Sequence, residues 1–520
     1  ADPSCAGRIA FAAHSGGKWG VTIKTRSGEL RSPFAGIVNH GNPHPSQITL
    51  IRYYCAVFDN VRRVFGHLIV YGSADVAILA INVLLVPVYT RVLTPDEFGI
   101  LALLLLLEAF LRPFTQWGLD EAFLRFYYDC DSDNTRRTLT GSTIIFLLGT
   151  NTVLLLALVA GSTAISTLLL GSHVYGTAIA ILAMNSAIAA FFFLPFNFLR
   201  IQNRPKQFAT WTFARALGTV AARLILVVGL QLGIIGIMLA DLFVSTVLLL
   251  ALSRVLKPLL AWQFSWKLVQ DMLAYGLPRV PYAVLHQIMA MSDRFFLRLF
   301  LPLRDVGLYQ LGSSVANVLK FYPVAFQRAW TPFSYEAMER SDAPKLFARL
   351  ATVAFSVLVF STLGLAVFAE PLVTVLTPPT FHDAAHIVPL LAFGVTIQAI
   401  TIFAITSLNI AKQSRSLPGI TLISSVITII GHLLLIPRLG MLGAGLSVVI
   451  GQCVLASTFL IVAQKHYRIP YEVGRLFRIT GLGIVLYLAL GLAPQNSVMM
   501  DLLIRCAIVS CFPIGLLFIR

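Results

Sequence analysis

The sequence predicts an all-α polytopic membrane protein with about 14 transmembrane helices, on the basis of its composition and its apolar runs. Apolar residues make up 57% of the 520 residues and charged residues only 12%. A soluble domain is about 45–50% apolar and about 25% charged, so the water-soluble classes are excluded. Apolar runs of about 20 residues, the length that crosses the hydrocarbon core, recur along the chain. Because lipid cannot satisfy backbone hydrogen bonds, such runs form helices.

Basic residues exceed acidic residues, with 39 Lys and Arg against 23 Asp and Glu. In a membrane protein, basic residues collect in cytoplasmic loops and meet anionic lipid there. Membrane lipids, and not nucleic acid, are therefore the expected partners. The six cysteines include no CxxC pair and show no regular spacing. They predict neither a zinc site nor a disulfide framework.

The chain divides into a leader and three groups of predicted helices. Residues 1–60 are rich in Gly, Ser, His and Pro, and we expect either a disordered cytoplasmic tail or a leader that is foreign to the natural protein. An N-lobe of helices 1–6 follows at 61–256, and a polar, aromatic linker at 257–271 leads to a C-lobe of helices 7–12 at 272–465. Helices 13 and 14 fill 466–520. The candidate spans lie near 65–90, 98–118, 138–160, 177–200, 208–230, 233–255, 272–297, 306–330, 346–369, 385–410, 417–437, 441–463, 476–493 and 498–519.

Lys and Arg are concentrated in alternate loops, which sets the orientation. With the N-terminus inside, the opposite loops carry little beyond Arg91, Arg304 and Arg438. The positive-inside rule then places both termini in the cytoplasm. The loops predicted to be cytoplasmic carry Arg136, Arg137, Arg200, Arg204, Lys206, Arg254, Lys257, Lys267, Arg340, Lys345, Arg349, Lys412, Arg415, Lys465, Arg468 and Arg475.

The chain contains an internal repeat. At an offset of 208 positions, Gly99 matches Gly307 and Arg112 matches Lys320. The LGIIG turn at 232–236 recurs as LGMLG 207 positions later. A six-helix unit returns the chain to its starting side, so the two copies are parallel. They should be related by an axis along the membrane normal, with a site between the halves near mid-membrane.

Six motifs resemble the polysaccharide-type, O-antigen flippases of the multidrug/oligosaccharidyl-lipid/polysaccharide (MOP) exporter superfamily. They are TRVLTPDEFGIL (90–101), GLDEAFLRFYYD (118–129), YGLPRVPY (275–282), SDRFFL (292–297), VGLY (306–309) and AFQRAWTPFSYE (325–336). The resemblance implies two six-helix lobes enclosing a central cavity. It also implies transport of an undecaprenyl-pyrophosphate-linked oligosaccharide from the cytoplasmic to the outer leaflet of the bacterial inner membrane, by alternating access. The polysaccharide polymerase machinery is a candidate partner.

Four cations are predicted to lie in the inner half of the membrane and to contact the pyrophosphate. They are Arg112, Arg215, Arg279 and Lys320. A charge inside a span is costly unless it is paired or hydrated, and a polyanionic substrate would offset that cost. Arg suits this role because its planar fork binds phosphate oxygens bidentately. The alternative is that these side chains extend to the headgroup region.

Acidic side chains and one histidine are candidates for coupling. Asp75 and Glu108 could bind a coupling cation, either Na⁺ or H⁺, and His286 falls near mid-membrane, where it could titrate. Glu108 and Arg112 lie four residues apart and could instead pair with each other. No other cofactor and no metal site are expected.

Two ion pairs are predicted to be structural. Arg223 and Asp241 lie at similar depths on the adjacent helices 5 and 6, so they should pair. Asp293 lies beside Arg294 and Arg298 near the outer end of helix 7, where an interfacial ion pair is expected.

Two other functions compete with this one. A drug or cation antiporter of the same superfamily would hold its substrate with acidic residues, whereas the inner half of this chain is net basic. A membrane polymerase or ligase would place reactive groups in a large outer loop, and the loops at 161–176 and 370–384 hold few. Because GxxxxGK[ST], HExxH and GxSxG motifs are absent from the sequence, we expect no enzymatic activity.

Overall fold

The computed structural model describes most of the chain after residue 84 and a small part before it. The chain forms two compact units, Ala1–Ile69 and Val70–Arg520. The described residues are 9–14, 18–25, 28–31, 85–338, 342–410, 417–491 and 498–518.

The described part of the first unit is a three-stranded antiparallel sheet in the order β1-β2-β3. Its strands are β1 (Ile9–His14), β2 (Lys18–Thr25) and β3 (Gly28–Arg31). Phe11 lies opposite Val21 in the β1–β2 register. These strands lie in the segment whose composition predicted a disordered tail, so that prediction differs from the structure here. The segment contains a short run of β-branched and aromatic residues, WGVTI, which favours a strand.

The second unit is helical throughout its described ranges, apart from short turns and connections. In these described ranges, ten continuous helical segments are long and apolar enough to cross a membrane, which agrees with the all-α polytopic prediction. The helices are α1 (described over 85–92), α2 (Pro95–Gln116), α3 (Leu119–Tyr128), α4 (Asp133–Ala160), α5 (Ser162–Leu170), α6 (Gly176–Ala189), α7 (Phe193–Ile201), α8 (Pro205–Arg223), α9 (Gly233–Leu256), α10 (Trp266–Gly276), α11 (Val280–Phe300), α12 (Leu303–Ala316), α13 (Phe321–Ala337), α14 (Ala343–Val367), α15 (Ala369–Leu376), α16 (Val388–Ile410), α17 (Leu417–His466), α18 (Val473–Leu490) and α19 (Val498–Phe518).

Several predicted spans are built from more than one helix, and one long helix contains two spans. The fourth span runs over His173–Ile201 and joins α6 to α7. Short 3₁₀ segments join α10 to α11 and α12 to α13. The 50-residue α17 covers the predicted spans 11 and 12. Gly440, with φ 58° and ψ −134°, interrupts the helical backbone between these two spans.

The turn before α2 has the sequence signature of a helix start. Thr94 is the N-cap, and its side chain accepts a hydrogen bond from the Glu97 backbone N–H at 3.3 Å. The Glu97 carboxylate in turn accepts from the Thr94 backbone N–H at 2.8 Å, which completes a capping box. Pro95 occupies the first helical position, where a missing N–H costs nothing. This turn fixes where α2 enters the membrane.

The two matched glycines of the repeat face each other where α2 packs against α12. A Cβ built on Gly99 would overlap the backbone of Leu303, and a Cβ built on Gly307 would overlap the backbone of Pro95. Only glycine allows the two helices to approach so closely. Because repeat-equivalent residues meet, this contact lies on the pseudo-twofold axis that relates the lobes. Around it, fully buried side chains from both helices form the core, among them Leu103, Leu104, Tyr309 and Leu311.

A second glycine contact joins the opposite end of α2 to the seventh span. Gly118 has φ 70°, and a Cβ on either Gly118 or Gly276 would overlap the backbone of the other. Next to this contact Arg279 forms an ion pair with Glu121 and donates to the Tyr275 hydroxyl at 3.0 Å. The seventh span is therefore held against the N-lobe at this end.

The segment predicted as an inter-lobe linker is attached to α4 of the N-lobe. Thr138 Oγ1 donates to Gln263 Oε1 at 2.6 Å, and the Ser265 backbone N–H donates to Ser142 Oγ at 2.9 Å. Helix α10 begins at Trp266, inside the predicted linker, and packs against α3 and α4.

The expected pair between Arg223 and Asp241 is present between α8 and α9. Arg223 Nε and Nη2 donate to the two Asp241 carboxylate oxygens at 2.8 and 2.6 Å, a bidentate geometry. Arg223 Nη1 also lies 3.0 Å from the Tyr89 hydroxyl oxygen, to which it donates. The two charged side chains are 17% and 14% exposed, so the pair is shielded from solvent.

Helices α18 and α19 pack on α14. Arg505 on α19 is 4% exposed and pairs with Asp501 at 2.7 Å and with Glu370 at 2.8 Å. It also donates to the backbone carbonyl of Val367 at the end of α14. This network fastens the C-terminal pair to the C-lobe.

The glycine contact between α2 and α12 leads to a first prediction. Gly99→Ala or Gly307→Ala should lower the free energy of unfolding by about 1–3 kcal/mol, since the added methyl group overlaps backbone that cannot move independently. Unfolding of the purified protein in a denaturant titration would measure this change. Gly364→Ala is the control, because Gly364 lies in α14 with nothing within 4 Å of its Cβ position. Equal stability of all three variants would contradict the packing described.

The Arg223–Asp241 pair leads to a second prediction. Arg223→Leu alone leaves a shielded carboxylate without its partner and should cost about 3–5 kcal/mol of unfolding free energy. The double variant Arg223→Leu/Asp241→Leu should recover most of that loss, because neither charge remains. The same denaturant titration reports both values. A double variant no more stable than the single variant would show that the pair does not act as a unit.

Candidate functional site

A cavity of about 790 Å³ lies inside the N-lobe, among α2, α3, α6, α7 and α8. It reaches the connection between α7 and α8, because Arg200 at the end of α7 and Phe208 in α8 both line it. Its volume falls within the range of about 300–1,000 Å³ that is typical of small-molecule sites. Its charged lining residues are Glu108, Arg112, Asp120, Glu121, Arg200, Arg215 and Arg223.

Helical spacing places these side chains on the faces that turn toward the cavity. On α2, Glu108 and Arg112 are four residues apart and share one face. On α8, the lining residues Phe208, Thr212 and Arg215 follow the same rule, with spacings of four and three. The cavity wall is thus a direct product of helix periodicity.

Three of the four lining arginines have no acidic partner among the described residues. Arg112, Arg200 and Arg215 make no ion pair there. The Arg215 guanidinium lies over the Phe192 ring at 4.6 Å, and the Arg200 guanidinium lies over the Phe208 ring at 4.9 Å. Cation–π contacts of this kind stabilise a guanidinium without neutralising it.

The acidic lining residues reduce the positive excess but do not remove it. Glu108 accepts a hydrogen bond from Asn185 Nδ2 at 3.3 Å and is not paired with Arg112, so the i,i+4 pairing considered from the sequence is not formed. Once Arg223 with Asp241 and Arg279 with Glu121 are set aside as pairs, three arginines face two carboxylates, Glu108 and Asp120. The lining residues outside these two ion pairs therefore carry a net charge of +1.

The structure brings together two of the four predicted phosphate contacts and places the other two elsewhere. Arg112 and Arg215 line the cavity. Arg279 lies beside it, engaged with Glu121 and stacked over the Tyr275 ring at 4.4 Å. Arg279 and Glu121 are 158 positions apart in the sequence. The spacing of residues along one helix therefore could not predict this ion pair.

Lys320 lies in the C-lobe and is not part of the cavity lining. It follows Gly307 by thirteen residues, and Arg112 follows Gly99 by the same number. Thirteen residues of helix span about 20 Å, so the two cations lie at corresponding depths from the glycine contact. Each lobe therefore offers one cation at this level.

The three candidates for coupling are not grouped in one place. Glu108 lines the cavity, His286 lies on α11 of the C-lobe, and Asp75 lies outside the described residues. Across the described ranges, no three His, Cys, Asp or Glu side chains come close enough to hold a metal ion.

The expected ion pair between Asp293 and Arg294 is present, and Asp293 is buried inside the C-lobe at 4% exposure. Its carboxylate accepts from Arg294 Nη1 at 2.6 Å and from the Tyr309 hydroxyl at 2.7 Å. Arg294 also donates to Ser313 Oγ at 2.7 Å. The contacts with Tyr309 and Ser313 come from α12, which an interpretation of helix 7 alone does not include.

Sequence reasoning missed two features of the cavity. Arg200 was assigned to a cytoplasmic loop, although its spacing of four from Phe196 and eight from Phe192 places all three on one helix face. Ser186 on α6 was not considered. It is 6% exposed and lines the cavity, and its hydroxyl has no hydrogen-bond partner in the described part of the chain. Such an unpaired polar atom is unusual and marks a place where a ligand or water could bind.

Comparison with known sequences identifies a family. Residues 88–386, more than half of the chain, match the family model described as polysaccharide biosynthesis protein. The uncharacterized membrane protein MJ1068 of Methanocaldococcus jannaschii is 24% identical over 197 residues. That match spans 37% of this chain and only 39% of the archaeal relative.

Comparison with solved structures identifies the fold. The lipid II flippase MurJ in an inward closed conformation is similar with a TM-score of 0.68 and 14% identity, over 86% of this chain and 98% of that chain. An inward-facing multidrug resistance transporter of the MATE family has a TM-score of 0.62 and 12% identity, over 78% of this chain and 96% of that chain. The predicted fold class is confirmed. The chain therefore belongs to the polysaccharide biosynthesis protein family.

Proposed function

We propose that the protein moves an undecaprenyl-pyrophosphate-linked oligosaccharide, the repeat unit of an O-antigen or exopolysaccharide, from the cytoplasmic to the outer leaflet. The observation that carries this proposal is a set of three guanidinium groups that line the N-lobe cavity and have no acidic partner among the described residues. An isolated charge in a membrane protein is costly and usually marks a substrate path. An anionic headgroup would complete the missing pairs.

The chemistry of the cavity favours a diphosphate. Arg112 and Arg215 project from α2 and α8, so they can approach one group from two sides. Guanidinium forks bind phosphate oxygens bidentately, and each phosphate offers several acceptors. A cation substrate would instead meet a cavity in which unpaired positive charge is in excess. This argues against the alternative of a drug or cation antiporter.

Orientation and movement complete the proposal. The cavity reaches the α7–α8 connection, which carries Arg204 and is flanked by Arg200 and Lys206, and this connection is cytoplasmic by the positive-inside rule. The headgroup would therefore enter from the cytoplasmic side of a bacterial inner membrane, with both termini on that side. As the lobes rock about the α2–α12 contact, Lys320 of the C-lobe would meet the headgroup that Arg112 holds.

Coupling and partners are part of the same proposal. Glu108 faces the cavity beside the arginines, so a change in its protonation would alter the attraction for an anion. Asp75 and His286 are further candidates, with Na⁺ or H⁺ as the coupling ion. Polysaccharide polymerase machinery would consume the translocated product. We propose transport with no covalent change to the substrate.

Replacing the cavity arginines tests this proposal. In a host strain whose own gene is deleted, Arg112→Ala and Arg215→Ala should each lower surface polysaccharide about tenfold or more, since a charge-assisted contact is worth about 1.5–3 kcal/mol. Lys320→Ala should also lower it. The undelivered lipid-linked intermediate should accumulate on the cytoplasmic side, as measured by accessibility to an added glycosidase in inside-out vesicles.

Lys206→Ala is the matched control, because Lys206 is an exposed cation in the first turn of α8 and does not line the cavity. It should complement like the unmodified protein. Full activity of Arg112→Ala and Arg215→Ala at normal protein levels would contradict the headgroup role. Loss of polymer with a normally distributed intermediate would instead indicate a step after transport.

A further inference from the structure

Three phenyl rings form a continuous wall between the two cation–π arginines of the cavity. Phe192 and Phe196 have ring centroids 6.4 Å apart, and Phe196 and Phe208 have centroids 5.1 Å apart. Arg215 lies over the first ring of this row and Arg200 over the last. The order along the wall is therefore Arg215, Phe192, Phe196, Phe208 and Arg200.

The middle ring of this wall differs from its two neighbours. Phe192 is 5% exposed and is covered by the Arg215 guanidinium, so it is core packing as well as a platform for that cation. Phe208 carries the Arg200 guanidinium. Phe196 lines the cavity, is partly exposed, and has no guanidinium over it in the described part of the chain. A partly exposed phenyl ring inside a transport cavity is available to a ligand.

The surroundings of Phe196 are those that a sugar ring requires. A pyranose has an apolar face of C–H bonds, and these bonds pack against the electron-rich face of an aromatic ring. Its hydroxyl groups need polar partners at the rim. Asn197 and Thr212 line the cavity next to the wall. Asn197 Nδ2 donates to the Asp120 carbonyl and Thr212 Oγ1 to the Phe208 carbonyl, so Asn197 Oδ1 and Thr212 Oγ1 supply acceptors for sugar hydroxyls. Specific sites combine such apolar platforms with a few polar groups.

We propose that Phe196 is the platform for the first sugar of the substrate, the one attached to the diphosphate. The inference rests on the proposed function, because the diphosphate at Arg112 and Arg215 brings that sugar beside the wall. Phe196 then adds affinity for the glycosylated headgroup and none for the bare diphosphate. The N-lobe cavity thereby distinguishes a loaded carrier lipid from an unloaded one.

Two synthetic ligands separate this inference from the proposed function. One is a short prenyl diphosphate, and the other is the same compound bearing one N-acetylhexosamine. Binding to the purified full-length protein in nanodiscs should be about 5- to 10-fold tighter for the glycosylated compound, as expected for one aromatic stacking contact. Phe196→Leu should reduce this ratio to about one and leave the affinity for the bare diphosphate unchanged.

Two further variants guard against an indirect effect. Phe196→Tyr keeps the ring and should keep the ratio. Phe191→Leu, a matched change on the same span at a residue that does not line the cavity, should also keep it. A ratio preserved in Phe196→Leu, or an equal loss for both ligands, would overturn the sugar platform while leaving the diphosphate site in place. Failure of the unmodified protein to bind either ligand would overturn both proposals.

Discussion

The cost of a charge in hydrocarbon controls how this chain is built. Arg223, Arg279, Arg294 and Arg505 each meet a carboxylate within the bundle or at its edges. Arg112, Arg200 and Arg215 line the N-lobe cavity and have no carboxylate partner among the described residues. The guanidiniums of Arg200 and Arg215 rest on phenyl rings, and all three arginines keep their charge available. A cavity lined in this way is suited to an anion.

The duplicated architecture is visible in two glycine contacts between the lobes. Gly99 and Gly307 bring α2 and α12 into backbone contact on the pseudo-twofold axis. At the other end of α2, Gly118 and Gly276 make a contact of the same kind, next to the Glu121 ion pair. The first contact joins repeat-equivalent residues and follows the symmetry of the lobes. The second joins non-equivalent residues, so it departs from that symmetry.

Periodicity, composition and the repeat were enough to predict the helical class, the doubled lobes and the pairing of Arg223 with Asp241. They also placed Arg112 and Arg215 near one another, because both lie at a similar depth. They could not show that Arg279 meets Glu121, since that contact depends on how α3 packs against the seventh span. The burial of Asp293 was missed for the same reason. Such contacts are set by the rotation and packing of helices, which a single sequence does not record.

The account depends on the unpaired guanidiniums recognising a diphosphate, and an equilibrium binding measurement tests this most directly. The purified protein in nanodiscs would be titrated with a prenyl monophosphate and with the diphosphate of the same chain length, over a range of salt concentrations. The account predicts at least about tenfold tighter binding of the diphosphate, with a preference that weakens as salt screens the charges. Equal affinity for the two lipids, independent of salt, would contradict it.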